Sequence, residues 1–334
     1  MYEDYDMFKK IKNFLKEQKK YKVKLTQVAI DISNNCNAKC PFCSRQLSKY
    51  SQKGFMEKEV FYDIMRQIEK IKSVKMINLG VWGEPLMHPH FDEFARYIKS
   101  KGYSLFFPTN FSLADKHFDT LMLADSIMLS IEGWDKESYE FYRKNLNFEK
   151  TLENIIEFDK LVKERKKQGL KTPLRDINFL VSKETNVNAF ISLWEKYVDI
   201  ISVRPMFAPF TWNENKKVIE IMQMPELKSK LLPLKKNNKQ MYCIMPFNVT
   251  YIRANGKIAL CCSDYDIQLD FGDYKNLLYN FKYNKNLNNA RKGIRNNSGV
   301  CANCFQHMDI PICDMVENLP DLSKFTKTKV YSLR

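Results

Sequence analysis

Residues 23–44 read VKLTQVAIDISNNCNAKCPFCS. The first ten alternate and are rich in β-branched side chains, the pattern of a strand with a buried face. Three cysteines follow, Cys36-x3-Cys40-x2-Cys43, on what reads as the loop leaving that strand. In parallel α/β proteins reactive groups collect where strands end. Three thiolates this close suit an iron–sulfur cluster, because cysteine sulfur holds iron at a low, tunable potential. Three ligands leave one iron of a cubane without a protein ligand, and an open coordination position is what separates a chemical metal site from a structural one. A structural zinc loop is the alternative. Zinc asks for a fourth ligand, however, and the loop holds no histidine or further cysteine.

Beyond this loop, strand-like and helix-like runs alternate. Residues 74–79, 103–107, 126–131, 177–181 and 200–203 read as strands. Residues 58–71, 91–100, 113–124, 148–167 and 188–197 carry apolar side chains at helical spacing. Repeated strand–helix units imply a parallel sheet covered by helices, open or closed into a barrel. The polar, basic stretch 231–240 suggests a boundary, and Ala254-Asn255-Gly256 beyond it is a hairpin signal between two strand-like runs.

The chain has 334 residues, 44% of them hydrophobic, enough for one large α/β domain and a small appendage. No run of eighteen apolar residues marks a membrane span, and the N-terminus lacks a signal peptide's apolar core, so the cytoplasm is the expected compartment. Nine cysteines gather at two places, which in a cytosolic protein points to metal binding or catalysis rather than disulfides. The formal net charge of +15 is spread along the chain. It reads as a solvated basic surface, or as one that attracts an acidic electron donor or an anionic substrate. No recognisable nucleic-acid-binding module accompanies it, so nucleic acid is not an expected partner, and neither is a membrane.

The spacing Cys36-x3-Cys40-x-Phe42-Cys43 after a first strand resembles the radical S-adenosylmethionine (radical SAM) superfamily. That resemblance implies a 4Fe–4S cluster on the three cysteines whose open iron binds S-adenosylmethionine. Reductive cleavage then gives a 5′-deoxyadenosyl radical that abstracts hydrogen from a substrate, the cofactor carrying the hard chemistry. Gly83-Glu84-Pro85 is similar to the family's segment that receives the methionine ammonium group, with Trp82 in place of a glycine. Thr109-Asn110 resembles a second motif, with Phe111 replacing its glycine, and Ser130-Ile131-Glu132-Gly133 a third, with Glu132 for an aspartate. The resemblance implies that Phe42, Gly83, Glu84, Ser130 and Arg143 contact the cofactor: Ser130 at the ribose, Arg143 at the carboxylate. His88 and His90 read as capping or packing residues.

A second group comprises Cys243, Cys261-Cys262, Cys301-x2-Cys304 and Cys313. A cysteine pair at a hairpin plus a distant C-x-x-C can cage zinc or a cubane, and spacing does not choose between them. The run resembles the SPASM/twitch domains that follow radical SAM barrels. This implies a second, auxiliary 4Fe–4S cluster on Cys243, Cys261, Cys301 and Cys304. Cys262 is then a small buried thiol or a hydrogen-atom donor to a substrate radical, and Cys313 a replacement cluster ligand or a buried surplus cysteine.

The expected architecture is α/β. A helical extension (1–23) precedes a partial (βα)6 radical SAM barrel (24–235), which is followed by a small α+β cysteine-rich cluster domain of SPASM/twitch type (236–318) and a tail (319–334). The expected activity is oxidation or epimerisation of a substrate, with a flavodoxin- or ferredoxin-type electron donor. Only about two dozen residues precede the first strand, which leans the expected substrate toward a small molecule, a sugar or aminocyclitol. Alternatives are a peptide-modifying maturase acting with a partner, a modifier of RNA, and a non-catalytic zinc module. Arg204, Trp212 and Glu214, past the last strand, are either ordinary loop residues or substrate contacts.

Overall fold

The computed structural model describes residues 23–43, 45, 54–182, 184–205, 243–264, 269–295 and 329–332. Its strands are β1 (Gln27–Ile30), β2 (Met76–Leu79), β3 (Ser104–Thr109), β4 (Ser126–Leu129), β5 (Leu174–Val181), β6 (Ile200–Pro205), β7 (Val249–Ile252), β8 (Ile258–Ala259) and β9 (Lys329–Ser332). The helices are α1 (Lys58–Glu69), α2 (Phe91–Ser100), α3 (Phe118–Leu121), α4 (Lys136–Tyr142), α5 (Phe148–Lys167), α6 (Val187–Trp194), α7 (Met245–Asn248), α8 (Leu277–Tyr283) and α9 (Lys285–Arg295).

Among the described residues the nine strands share one sheet in the order β8-β7-β1-β2-β3-β4-β5-β6-β9, in which only the β7·β8 pair is antiparallel. Strands β1 to β6 therefore follow one another side by side, as right-handed strand–helix–strand units do. This is the open, α/β partial barrel that the alternating runs imply.

Strands β3, β4 and β5 show their alternation as two different faces, one buried and one partly exposed. Val28, Ile30, Ile77, Leu79, Leu105, Phe107, Ile127, Leu129, Ile177 and Phe179 are buried together with the apolar stripes of the helices. Phe61 of α1 stacks on Phe94 of α2 with ring centroids 3.8 Å apart, and Phe179 of β5 stacks on Phe190 of α6 at 3.4 Å. Each such side chain contributes about 1.5–3 kcal/mol by leaving water. The opposite face is more polar. The register pairs Ala29 with Asn78, Asn78 with Phe106 and Asn178 with Ser202, which puts Asn78, Asp176, Asn178 and Ser202 on that face.

Helix α4 and strand β9 are among the elements not foreseen. Helix α4 is only seven residues long, yet its N-terminus carries a reciprocal capping box: Asp135 accepts from Ser138 N at 2.8 Å, and Ser138 Oγ accepts from Asp135 N at 3.1 Å. Strand β9 lies within the stretch expected as a tail and pairs with β6 in parallel. The hairpin around Gly256 forms as expected, but it extends the barrel's own sheet, β7 lying parallel to β1. Behind it, buried Arg291 of α9 donates to Pro246 O at 2.8 Å and lies 4.6 Å from the Phe281 ring. The expected boundary near 235 lies outside the described residues. No helix among the described residues is long and apolar enough to cross a membrane.

Candidate active site

The cysteine loop leaves β1 and is tied to four neighbouring segments. Asn34 N donates to Gly54 O at 2.9 Å, and Glu84 N to Asn35 O at 2.8 Å. Asn37 donates to Ser112 Oγ at 2.8 Å and accepts from Asn110 Nδ2 at 2.9 Å. Lys39 N donates to Lys144 O at 2.8 Å. Of these, Glu84 and the Asn110–Ser112 turn directly follow β2 and β3, so those strand ends are brought beside the loop that follows β1.

Gly83 is dictated by this crowding. A β-carbon there would lie 1.9 Å from Ser33 O and 2.6 Å from Asn35 O, so only glycine lets the turn after β2 lie against the cysteine loop. Gly133, with φ +106°, is dictated likewise, since a β-carbon would lie 2.4 Å from the Tyr139 backbone of α4.

Buried Asp31, one residue past β1, organises the same turn. Its Oδ1 accepts from the N–H of Val81 (3.1 Å), Trp82 (3.0 Å) and Gly83 (3.5 Å). Burial pushes its carboxyl up to about 6 against those bonds and the Arg253 charge. Sequence reading missed Asp31; the signal was an acid at the end of an otherwise apolar strand.

Glu84 is buried and spans β2 and β3. Oε1 accepts from Leu86 N (3.2 Å) and Thr109 Oγ1 (2.7 Å), and Oε2 from Asn110 N (2.7 Å). Burial lifts its carboxyl to about 7 despite these donors. A carboxylate has about four acceptor positions. Three are used here, which leaves one on Oε2. Phe111 stands in a left-handed conformation, φ +62°, which suits the glycine it replaces. Its carbonyl accepts from Asn154 Nδ2 at 3.0 Å, and its ring packs 5.5 Å from Phe158.

Arg143 caps the C-terminus of α4 and points back at the loop. It forms a buried ion pair with Glu132, and Nη1 donates to Cys40 Sγ at 3.4 Å. The Phe42 ring lies 5.4 Å from its Cζ. Arg143 Nε is buried and has no hydrogen-bond partner among the described residues. Burial lifts the Glu132 carboxyl to about 7 although Arg143 opposes it. Ser130 is half-buried one residue past β4, its N–H donating to Thr109 O at 2.8 Å. His88 packs on Phe55 and bonds Met56 O through Nε2 at 3.0 Å, and His90 pairs with Glu93 at 3.2 Å.

Cys40 is buried, Cys36 and Cys43 half-buried. Burial, with Glu84 and the neighbouring thiols adding to it, pushes Cys36 up to about 12. Burial and Cys40 push Cys43 up to about 11, and burial also raises Cys40 against Arg143. Three crowded sulfurs that resist ionisation alone fit a polycationic group, which supplies the missing positive charge. Among the described residues no three acidic, histidine or cysteine side chains converge on a single ion. A cubane does not ask for that, because each cysteine takes a different iron.

Of the second cysteine group, Cys301, Cys304 and Cys313 lie outside the described residues, as do Trp212 and Glu214, and of Arg204 only the backbone is described. Cys243 precedes α7, and Cys261 and Cys262 follow β8. Cys262 is exposed, which corrects its reading as a buried thiol. Its carbonyl accepts from Trp82 Nε1 at 2.8 Å, and Arg253 lies 4.3 Å over the Trp82 ring. Burial, then the nearby Cys262 and Cys261, raise the Tyr251 phenol. The indole thus links the first cysteine region to the second, and explains a bulky residue where the motif has glycine.

A family model described as the radical SAM superfamily matches residues 30–172. The tungsten-containing aldehyde ferredoxin oxidoreductase cofactor-modifying protein of Pyrococcus furiosus is 26% identical over 167 residues, covering 46% of this chain and 43% of that protein. The match therefore spans less than half of that relative's length. Streptococcus suis SuiB bound to precursor peptide SuiA is similar in fold, with a TM-score of 0.59 and 14% identity, covering 86% of this chain and 72% of that one. BtrN in complex with AdoMet and 2-DOIA has a TM-score of 0.50 and 14% identity, covering 84% of this chain and 93% of that one. At such identities the likeness is one of fold. The cysteine loop after β1 and strands β2 to β4 all lie within residues 30–172, the stretch that matches the radical SAM superfamily model.

Proposed function

We propose that this chain binds a 4Fe–4S cluster at Cys36, Cys40 and Cys43 and S-adenosylmethionine beside it, and initiates radical chemistry on a substrate held against the polar face of the sheet. The observation that carries this reading is the cysteine loop locked by Gly83 against the turn bearing Glu84. When bound, the cluster would supply one electron to the sulfonium of S-adenosylmethionine, which yields the 5′-deoxyadenosyl radical.

The chain's own residues bind and orient. The free acceptor position on Glu84 Oε2 suits an ammonium group, whose charge would keep the carboxylate ionised. The unpartnered Nε of Arg143 suits a carboxylate, Ser130 a ribose hydroxyl, and Phe42 excludes water above the loop. Anaerobic reconstitution with iron and sulfide, then S-adenosylmethionine and dithionite, tests the reading. We expect 5′-deoxyadenosine by chromatography, and its absence from cluster-replete protein overturns the reading.

The polar face favours a hydroxylated or amine-bearing small molecule: Ser202 Oγ donates to Asp176 at 2.9 Å, and the buried Oδ1 atoms of Asn78 and Asn178 lack partners among the described residues. The likeness to BtrN in complex with 2-DOIA supports this reading. The match to SuiB bound to its precursor peptide supports the second reading, a peptide modifier. A mass change on a peptide only when a partner protein is present would distinguish it. An auxiliary cluster on Cys243, Cys261, Cys301 and Cys304, electrons from a flavodoxin- or ferredoxin-type donor, and hydrogen donation by exposed Cys262 belong to the same proposal. So does the cytoplasm as compartment. Iron-free, colourless protein purified without oxygen would favour the zinc module instead.

A further inference from the structure

Arg143 touches a cysteine sulfur and a buried acid at the same time. Nη1 donates to Cys40 Sγ at 3.4 Å, while Nη2 closes the ion pair with Glu132, which is 1% exposed. The Phe42 ring lies 5.4 Å from Cζ on another side, and the loop's Lys39 N is fastened to Lys144 O, one residue past Arg143, at 2.8 Å. That main-chain bond ties the residue before Cys40 to the residue after Arg143, and so holds the guanidinium near the sulfur. Charges buried this deeply are little screened by water or salt.

We propose that Arg143 and Glu132 together set the reduction potential of a cluster bound at Cys36, Cys40 and Cys43: Arg143 raises it through its bond to the Cys40 sulfur, and Glu132 restrains that rise. The inference rests on the proposed cluster site. Reduction adds one electron from a low-potential donor, dithionite in the assay, with no bond made or broken and no proton moved. The added negative charge spreads onto the sulfurs, so a cationic N–H donor favours the reduced form. Glu132 carries the opposite charge behind Arg143 and weakens that preference. The two side chains thus pull in opposite directions, although they form a single ion pair.

The test is a redox titration of the reconstituted full chain, followed by electron paramagnetic resonance, without S-adenosylmethionine so that Arg143 has no second ligand. Arg143→Met should shift the reduction equilibrium about tenfold toward the oxidised form, about 59 mV for one electron. Glu132→Gln should shift it toward the reduced form. Loosened packing admits water in both variants and would move both the same way, so the opposed signs separate tuning from damage. If Arg143→Met fails to fold, Arg143→Lys, which keeps the charge but not the planar fork, should show a smaller fall, and Glu132→Gln still decides by its rise. Equal signs, an unmoved potential, or a fall in Glu132→Gln overturns the inference while leaving the cluster reading intact. Wild-type protein that holds no iron overturns the cluster reading, and the inference with it.

Discussion

Gly83→Ala offers a quantitative test of how the site is built. The new methyl carbon would stand 1.9 Å from Ser33 O, about 1.6 Å short of the roughly 3.5 Å of ordinary non-bonded contact. Both nearest obstacles, Ser33 O and Asn35 O, are backbone atoms, so no side chain can swing away. The turn and the loop must part, and the Glu84 N to Asn35 O bond of 2.8 Å is the first to stretch. Overpacking of this kind costs about 1–3 kcal/mol, and the lost bond about 1 kcal/mol. Restricting the unfolded chain returns about 0.4–1 kcal/mol. The net loss should be about 2–3 kcal/mol, read as a lower urea midpoint with an unchanged slope. Iron content after reconstitution should fall as well, because the displaced segment is the one leading into Cys36. A variant with the wild-type midpoint and a full complement of iron would refute the claim that these two loops are locked by their close approach.

Three further outcomes follow from the same geometry. Asp31→Ala strips the acceptor from three backbone N–H groups after β2 and should destabilise by about 1–3 kcal/mol in urea melts; no loss would remove Asp31 from the account. Phe111→Gly relieves about 1–3 kcal/mol of left-handed strain but forfeits about 3–5 kcal/mol of buried ring, so packing wins and stability should fall by about 2 kcal/mol. Burial alone would push the Asp125 carboxyl up, but Lys171, Lys99 and Leu105 N–H outweigh it and hold it at about 2. A depressed carboxyl contributes stability above its unfolded value, about 4, and loses it as pH falls through 2. The urea midpoint should therefore drop across that window in wild type and less so in Asp125→Asn. Identical acid limbs would contradict the pairing.

What could be read beforehand was local. The alternation of 23–32 and the apolar stripe of 58–71 are periodic over a few residues, and periodicity survives folding because it reports a buried face. What could not be read depends on distant partners. The value of Asp31 is defined by a turn some fifty residues later, and the bulk at Trp82 by a carbonyl at Cys262. Helix α4 is too short to show a stripe, and its signature lies in the reciprocal bonds of Asp135 and Ser138. The pairing of β7 with β1 joins residues more than two hundred apart, a contact that no local pattern encodes. Glu84 was read as an acid waiting for a ligand; its carboxylate first binds β2 to β3 and keeps one acceptor position in reserve.

The most direct measurement is the electron paramagnetic resonance spectrum of anaerobically reconstituted, dithionite-reduced protein before and after S-adenosylmethionine, in wild type and in the Cys36, Cys40 and Cys43 triple alanine variant. A reduced-cluster signal that changes on adding the nucleoside in wild type, and is lost in the variant, is the predicted result. A wild-type spectrum indifferent to S-adenosylmethionine, or a variant that keeps the responsive signal, would contradict an open iron held by these three sulfurs.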